Sequence, residues 1–193
     1  MTKTYFIKPE YTHRLNNKFF DDTGFKDEWQ REVYIFAKQV ATEHKFQRVL
    51  DIGTGSGYKL ISNFDEFDTL GIDMPKTVQW LRETYPSKNW SDTFDPVSGY
   101  DLIIASDVIE HIPDPDTLLD LIEMSAPKLI VLSTPDRSLF ESGHNGPPVN
   151  KAHVREWTMP EFYQYISSRF TVIDHFISNK TQATQVILAQ LKS

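Results

Sequence analysis

The sequence contains no cysteine. That excludes disulfide staples, thiolate zinc sites and cysteine nucleophiles, and it fits an intracellular, cytoplasmic protein. It has no excess of positive charge either: 20 lysines and arginines face 27 acids, a formal net charge of −7. A chain that grips a phosphate backbone needs the opposite balance, so no nucleic-acid partner is expected. Apolar runs such as Leu102–Ala105 and Leu129–Leu132 fall far short of the ~20 residues of a membrane span, so no membrane partner is expected. No apolar stretch follows Met1-Thr2-Lys3-Thr4-Tyr5, so no secretory leader is expected. Internal repeats and low-complexity tracts are also lacking.

What is present is a chain of 193 residues, 39% hydrophobic and 24% charged. That suffices for one sizeable core and is too apolar for disorder. The expectation is a single domain over 1–193, with an N-terminal helical cover (1–45) and a core (46–193). Residues 1–25 show no clear period. From Lys26 onward, Trp29, Val33, Phe36, Ala37 and Val40 share one helical face. The spacing predicts a helix to about His44, with Trp29 in the core.

A different rhythm begins at Arg48. Val49-Leu50-Asp51-Ile52 reads as a buried strand that stops at Gly53, and a helix follows from Tyr58 to about Phe64. Thr69–Asp73 reads as a second strand, and Pro75 suits the first turn of a helix over Lys76–Tyr85. Asn89–Ser91 is a weak third strand, Asp101–Ser106 a fourth and Lys128–Ser133 a fifth, with a helical face at Leu118, Leu121 and Ile122 between the last two. Such alternation indicates an α/β fold with a mostly parallel sheet. Thr158-Met159-Pro160-Glu161 carries a capping-box pattern for a helix to about Ser168. Thr171–Ile177 and Thr184–Ala189 read as an antiparallel hairpin at the sheet edge. The stretch 136–157 has little periodicity and is too long for an idle connection, which marks it as a functional loop.

The most informative segment is Val49-Leu50-Asp51-Ile52-Gly53-Thr54-Gly55-Ser56-Gly57, a strand running through glycines into a helix. Glycine allows positive φ and lets a ligand approach the main chain. Asp73 lies 20 residues beyond Gly53, at the end of the next strand, placed to accept from both ribose hydroxyls of an adenosine. The spacing separates nucleotide classes. A dinucleotide fingerprint needs its third glycine at position 58, which is Tyr58 here, and the Gly-Lys-Ser/Thr of a P-loop is missing. An acid at Asp51 would repel a pyrophosphate but suits a cationic cofactor.

On these residues the chain resembles the class I S-adenosylmethionine-dependent methyltransferases. The resemblance runs from about Trp29 to the C-terminus, through VLDIGTGSG (49–57), LGID (70–73), SD (91–92), YDLIIASDVIEHI (100–112) and KLIVLSTP (128–135). The VIEH segment resembles the branch acting on small molecules, sugars and quinone precursors. The resemblance implies a Rossmann-like seven-stranded sheet of order 3-2-1-4-5-7-6 with strand 7 antiparallel and helices on both faces. It implies that Asp51, Gly53, Gly55 and Gly57 surround the methionine part of the cofactor. Asp73 binds the ribose and Met74 packs on the adenine. Asp92 accepts from the adenine amino group with Thr93 beside it, and Ser106 and Asp107 face the methionine amino group. Gln30 and Tyr34, four apart on the expected N-terminal helix, are read as covering the cofactor.

Histidine is the most useful general base near neutral pH. His111 follows the fourth strand, and His144 and His153 lie in the long loop. Acceptor sites in this class of fold gather at the carboxyl ends of the strands, which makes His111 and His153 the candidate catalytic groups. HVREWT (153–158) also resembles small-molecule methyltransferases. No metal is expected, because His144, His153 and the nearby acids match no helical ligand pair and no EF-hand. The implied reaction is methyl transfer from S-adenosylmethionine to a small-molecule acceptor, with oxygen methylation of a sugar or other metabolite preferred. S-adenosylhomocysteine would be the product. A silent cofactor-binding module and a protein methyltransferase are the alternatives. No Asn/Asp-Pro-Pro-Tyr/Phe motif of base amino methylation follows the fourth strand. Acceptor identity and oligomeric state are not legible.

Overall fold

The computed structural model describes residues 3–140 and 145–192. Among these, strands and helices alternate as α1 (Arg31–Glu43), β1 (Arg48–Ile52), α2 (Tyr58–Phe64), β2 (Asp68–Ile72), α3 (Pro75–Thr84), β3 (Asn89–Ser91) and β4 (Leu102–Ser106). There follow α4 (Asp116–Ser125), β5 (Leu129–Pro135), α5 (Met159–Arg169), β6 (Phe170–Asn179) and β7 (Thr184–Leu191). The strands form one sheet of order β3-β2-β1-β4-β5-β7-β6. β7 is antiparallel to both its neighbours and the other pairings are parallel. The expected α/β topology is therefore the one adopted.

Strand periodicity explains the two layers of core. On β4, Leu102 and Ile104 face one side and pack with Val33, Ala37, Leu60, Phe64 and Val78 from α1, α2 and α3. Ile103 and Ala105 face the other side and pack with Leu118, Leu119 and Ile122 of α4 and Phe162 and Ile166 of α5. Local signals set the helix ends. Pro75 opens α3, where its missing N–H is not needed. Glu161 accepts the Thr158 N–H at 2.9 Å, which satisfies a donor at the start of α5.

The N-terminal region departs from the expected helical cover. α1 begins at Arg31, because Gln30 sits in the left-handed region at φ 56° and breaks the pattern. Trp29 is consequently not core: it is 47% exposed and lines the main cleft. Residues 3–30 form no regular element; Tyr5 to Lys18 pack along the loop before α5, and Asp22 to Gln30 reach the glycine loop and Asp107. The Trp157 indole N–H donates to Tyr5 O at 3.0 Å, Glu156 N to the Tyr11 hydroxyl at 2.9 Å and Arg14 N to Val154 O at 2.8 Å. The terminal strands are also longer than predicted, since both ends of the hairpin continue their pairing beyond the apolar run.

Candidate active site

The glycine loop leaves β1 in a tight left-handed path, with Gly53, Gly55 and Gly57 at φ 74°, 55° and 68°. Gly53 N and Thr54 N both donate to Ile72 O, at 2.7 and 3.2 Å, pinning the loop to the end of β2. The three glycines serve different ends. Gly53 lines the cleft, and a side chain there would run into Val108. Gly55 is overlaid by the Asp22 carboxylate. Gly57 turns inward: a β-carbon there would lie 2.8 Å from Trp90 and 2.9 Å from Leu81. Its freedom serves the packing of α2 on the sheet, and Gly57 is not among the residues that line the cleft.

Asp73 stands at the end of β2 and accepts the Gly55 N–H at 2.8 Å and the Met74 N–H at 2.7 Å. Both carboxylate oxygens are thereby aimed. Burial nevertheless raises its pKa, against the pull of those N–H groups. Asp51 is wholly buried behind the loop, and burial pushes its carboxyl up to about 7. Tyr34, on the buried face of α1, donates its hydroxyl to Asp51. Asp22 reaches in from the irregular N-terminal stretch, and burial, with the Asp73 charge beside it, raises it to about 6. Asp107, just past β4, adopts φ 53° and is held by Ser133 Oγ at 2.6 Å and the Gln30 side-chain amide at 3.1 Å. Burial raises its pKa as well. Ser106 Oγ lies 3.0 Å from Ser133 Oγ, bracing the same corner.

These groups open on one cleft of about 1490 Å³, lined among others by Gly53, Asp73, Met74, Ser106, Asp107 and Tyr34. That exceeds the ~300–1,000 Å³ typical of one small-ligand site and leaves room for two ligands side by side. Several carboxyl groups resist ionisation here because burial leaves their charge poorly solvated. Lys59, itself buried, is a cation that favours the ionised forms of Asp22, Asp51 and Asp107. A cationic ligand would do the same, and a pyrophosphate would not.

The far side of the cleft is built from two loops locked together. The 3₁₀ turn Ile109–His111 follows β4, and the loop before α5 lies against it. The Arg155 guanidinium donates to Ile112 O and Pro113 O, both at 2.7 Å, and Val154 N donates to Glu110 O at 2.8 Å. The Asn17 amide bridges His111 O and Ala152 O at 2.9 and 3.1 Å. The result is that His111 and His153 meet edge to face, their rings 4.8 Å apart. Burial holds the His111 imidazole down at about 4, so it is neutral at physiological pH. Glu110, fully buried beside them, accepts from Thr134 Oγ at 3.0 Å, and burial, with Asp107 nearby, raises its pKa well above the usual carboxylate range.

The structure thus brings Gln30, Tyr34, Gly53, Asp73, Met74, Ser106, Asp107, His111 and His153 to the cleft wall, with Asp51 and Gly55 directly behind. Asp92 and Thr93 are not among the lining residues. Both are exposed, and Asp92 faces Arg82 at 3.5 Å. The next residue, Phe94, lines the cleft in their place. β3 has only three residues, and the chain leaves the sheet before Asp92 can turn inward. His144 lies outside the described residues. The reading from sequence missed Asp22, Lys59 and Glu110. Asp22 sits in a stretch without period, so no local signal marks it; Glu110 was legible as an acid in an otherwise apolar run, directly before a candidate histidine.

No curated protein matches the chain in sequence. Its fold is similar to a crystal structure of an S-adenosylmethionine-dependent methyltransferase from Clostridium acetobutylicum, with TM-score 0.65 and 12% identity over 84% of this chain and 92% of that one. It is similar to 1,6-didemethyltoxoflavin-N1-methyltransferase from Burkholderia thailandensis, solved with 1,6-didemethyltoxoflavin and S-adenosylhomocysteine. There the TM-score is 0.62 and the identity 18%, over 85% of this chain and 80% of that one. Magnesium protoporphyrin IX methyltransferase from Synechocystis, with bound S-adenosylhomocysteine, gives a TM-score of 0.63 at 16% identity, over 84% and 83% of the two chains. The sequence model that describes a methyltransferase domain matches residues 16–181, which take in the glycine loop, the acids around it and both cleft histidines: the chain belongs to the methyltransferase-domain family.

Proposed function

We propose that this chain transfers a methyl group from S-adenosylmethionine to a hydroxyl of a small molecule such as a sugar or other hydroxylated metabolite. The observation that carries the reading is the single cleft that joins an acid-lined glycine loop to a pair of histidines. Asp73 would take the ribose, and Met74 would pack on the base beside Phe94. Asp107 and the Asp51–Tyr34 pair would favour the ammonium and sulfonium charges. Bound there, the cofactor supplies a methyl on a cationic sulfur: the acceptor oxygen bonds to that carbon, the sulfur keeps the electron pair of the broken bond, and the acceptor loses its proton.

The protein's own part is alignment and exclusion of water, which account for much of such a barrier. The aromatic rim of Phe20, Phe25, Trp29 and Phe140 suits a small organic acceptor, and the negative net charge disfavours nucleic acid. On this reading the acceptor hydroxyl lies beside His111 and His153, which line the cleft; His153 would exchange the Asn150 amide at its Nε2 for the acceptor. Used as a base, a positioned imidazole contributes typically 10²–10⁴ in rate. No helix among the described residues is long and apolar enough to cross a membrane.

Thermal melting tests the cofactor. S-adenosylhomocysteine at ~100 times its dissociation constant stabilises the protein by about 2.7 kcal/mol, and NAD does not. A melting shift with NAD alone would sink the reading. A panel of hydroxylated metabolites, followed by release of S-adenosylhomocysteine, then identifies the acceptor class.

A further inference from the structure

The cluster at the acceptor end of the cleft contains more than a pair of bases. Glu110, His111 and His153 each offer a ligand atom, and the three atoms lie within 4.8 Å of one another. Glu110 and His111 come from the turn after β4 and His153 from the loop before α5, so no sequence spacing announces the set. A four-coordinate ion with bonds of ~2.0–2.2 Å places its donors roughly 3.4 Å apart. The Glu110 Oε1 to His153 Nε2 distance is 4.0 Å, so modest side-chain rotation closes the set.

Two further observations point to a ligand. Glu110 is fully buried, and its Oε1 accepts no hydrogen bond among the described residues, while Oε2 takes the Thr134 hydroxyl. A buried carboxylate oxygen left in this way is normally matched to a bond donor or a cation. In addition, each imidazole is held by its Nδ1. His111 Nδ1 lies 3.1 Å from Ala152 O, and His153 Nδ1 lies 2.7 Å from Glu156 Oε1. A proton on each Nδ1 leaves each Nε2 as a lone pair, the outer-shell arrangement typical of metal-bound histidines. The Asn150 amide, 2.9 Å from His153 Nε2, holds that lone pair in this structure and would give way to a cation.

We propose that Glu110, His111 and His153 form a binding site for a divalent transition-metal cation, at the acceptor end of the cleft. Two imidazoles and one carboxylate suit manganese, cobalt or zinc rather than calcium or magnesium. Three protein ligands leave coordination positions open. The role of the ion, though not the site itself, rests on the methyl-transfer reading above: the acceptor hydroxyl takes an open position, its pKa falls, and its proton leaves to solvent before or as the oxygen attacks. The metal keeps its oxidation state throughout. On this account the two histidines act by holding the ion, and no side chain needs to take the proton.

The test is a titration of the chelator-stripped protein with cobalt chloride, followed by the visible d–d absorption, with magnesium chloride in parallel. The expected result is saturable binding of one cobalt ion per chain and no comparable response to magnesium. Glu110→Gln and His153→Gln should each weaken cobalt binding by at least about 100-fold, since outer-shell changes alone cost 10–100-fold. Glu110→Gln preserves shape, so it decides the matter if the histidine variant does not fold; melts in chelator report folding for both. Absence of saturable cobalt binding to the wild type, or unchanged binding in Glu110→Gln, overturns the site. Binding of S-adenosylhomocysteine is measured separately on the stripped protein. Its failure would strike the methyl-transfer reading and leave the cation result standing. Turnover that is indifferent to chelation would return His111 and His153 to the role of bases.

Discussion

The Tyr34 hydroxyl lies 2.9 and 3.1 Å from the two oxygens of Asp51, so one O–H is shared across a carboxyl group that has no exposure to water. Both residues back the glycine loop. The pair sets how readily negative charge forms behind the cofactor cleft.

Removing that donor should be felt in stability. Tyr34→Phe keeps the ring and deletes the hydrogen bond, at a cost of about 1–3 kcal/mol when the acceptor is left buried and charged. The cost should be larger at pH 8 than at pH 6, because the ionised carboxylate needs the donor most. Urea unfolding at both pH values checks this. Equal losses at the two would mean that Asp51 does not titrate between them.

Asp51 also predicts a pH dependence. Burial raises its pKa from 3.8 to about 7, so between those values the folded chain keeps a proton that the unfolded chain has released. Linkage then makes this group's contribution to stability fall as pH rises through that window. A cationic ligand reverses the preference, since it favours the ionised form. Affinity for S-adenosylmethionine should therefore rise from pH 6 to pH 8, more steeply than affinity for S-adenosylhomocysteine, which lacks the sulfonium charge. Calorimetry with both ligands measures the two slopes, and parallel slopes would remove Asp51 from the sulfonium's surroundings.

Asp73 and Asp92 separate cleanly. Asp73 is aimed by the Gly55 and Met74 N–H groups, whereas Asp92 is exposed beside Arg82. Asp73→Ala should weaken S-adenosylhomocysteine binding by at least about tenfold, the equivalent of one charged hydrogen bond. Asp92→Ala should change it by less than about twofold, as expected for an exposed ion pair. The reverse order would show that the chain after β3 turns inward when the cofactor binds.

Gly57→Ala tests the packing role of that glycine. At φ 68° a side chain is strained by about 1–2 kcal/mol, and its β-carbon meets Trp90 and Leu81 in the core. A total loss of about 2–4 kcal/mol is expected by urea unfolding. Unchanged stability would mean that α2 can shift away from β3.

Much of the molecule was legible in the chain because it is local. The alternation of apolar runs and amphipathic stretches sets strands and helices, and the glycines at 53, 55 and 57 mark the turn where φ must be positive. Asp73 could be placed because strand length and helix length between two parallel neighbours are constrained. The predicted start of the first helix at Lys26 failed for the opposite, non-local reason. Gln30 gives up helical geometry for bonds to Asp107 and Gln182, partners that lie 77 and 152 residues away and cannot be seen from its neighbours.

The sequence by itself determined the fold class, the strand order through its resemblance, the cofactor loop and the acid that faces it, because periodicity and turn chemistry act over a few residues. Only the tertiary structure decided that Asp22 overlies Gly55, that Asp92 faces away from the cleft, and that Glu110, His111 and His153 converge. Those outcomes depend on which loops pack together: the Arg155 guanidinium on Ile112 and Pro113, and the N-terminal stretch along the loop before α5. Such contacts join distant segments through single hydrogen bonds, and no spacing within either segment encodes them.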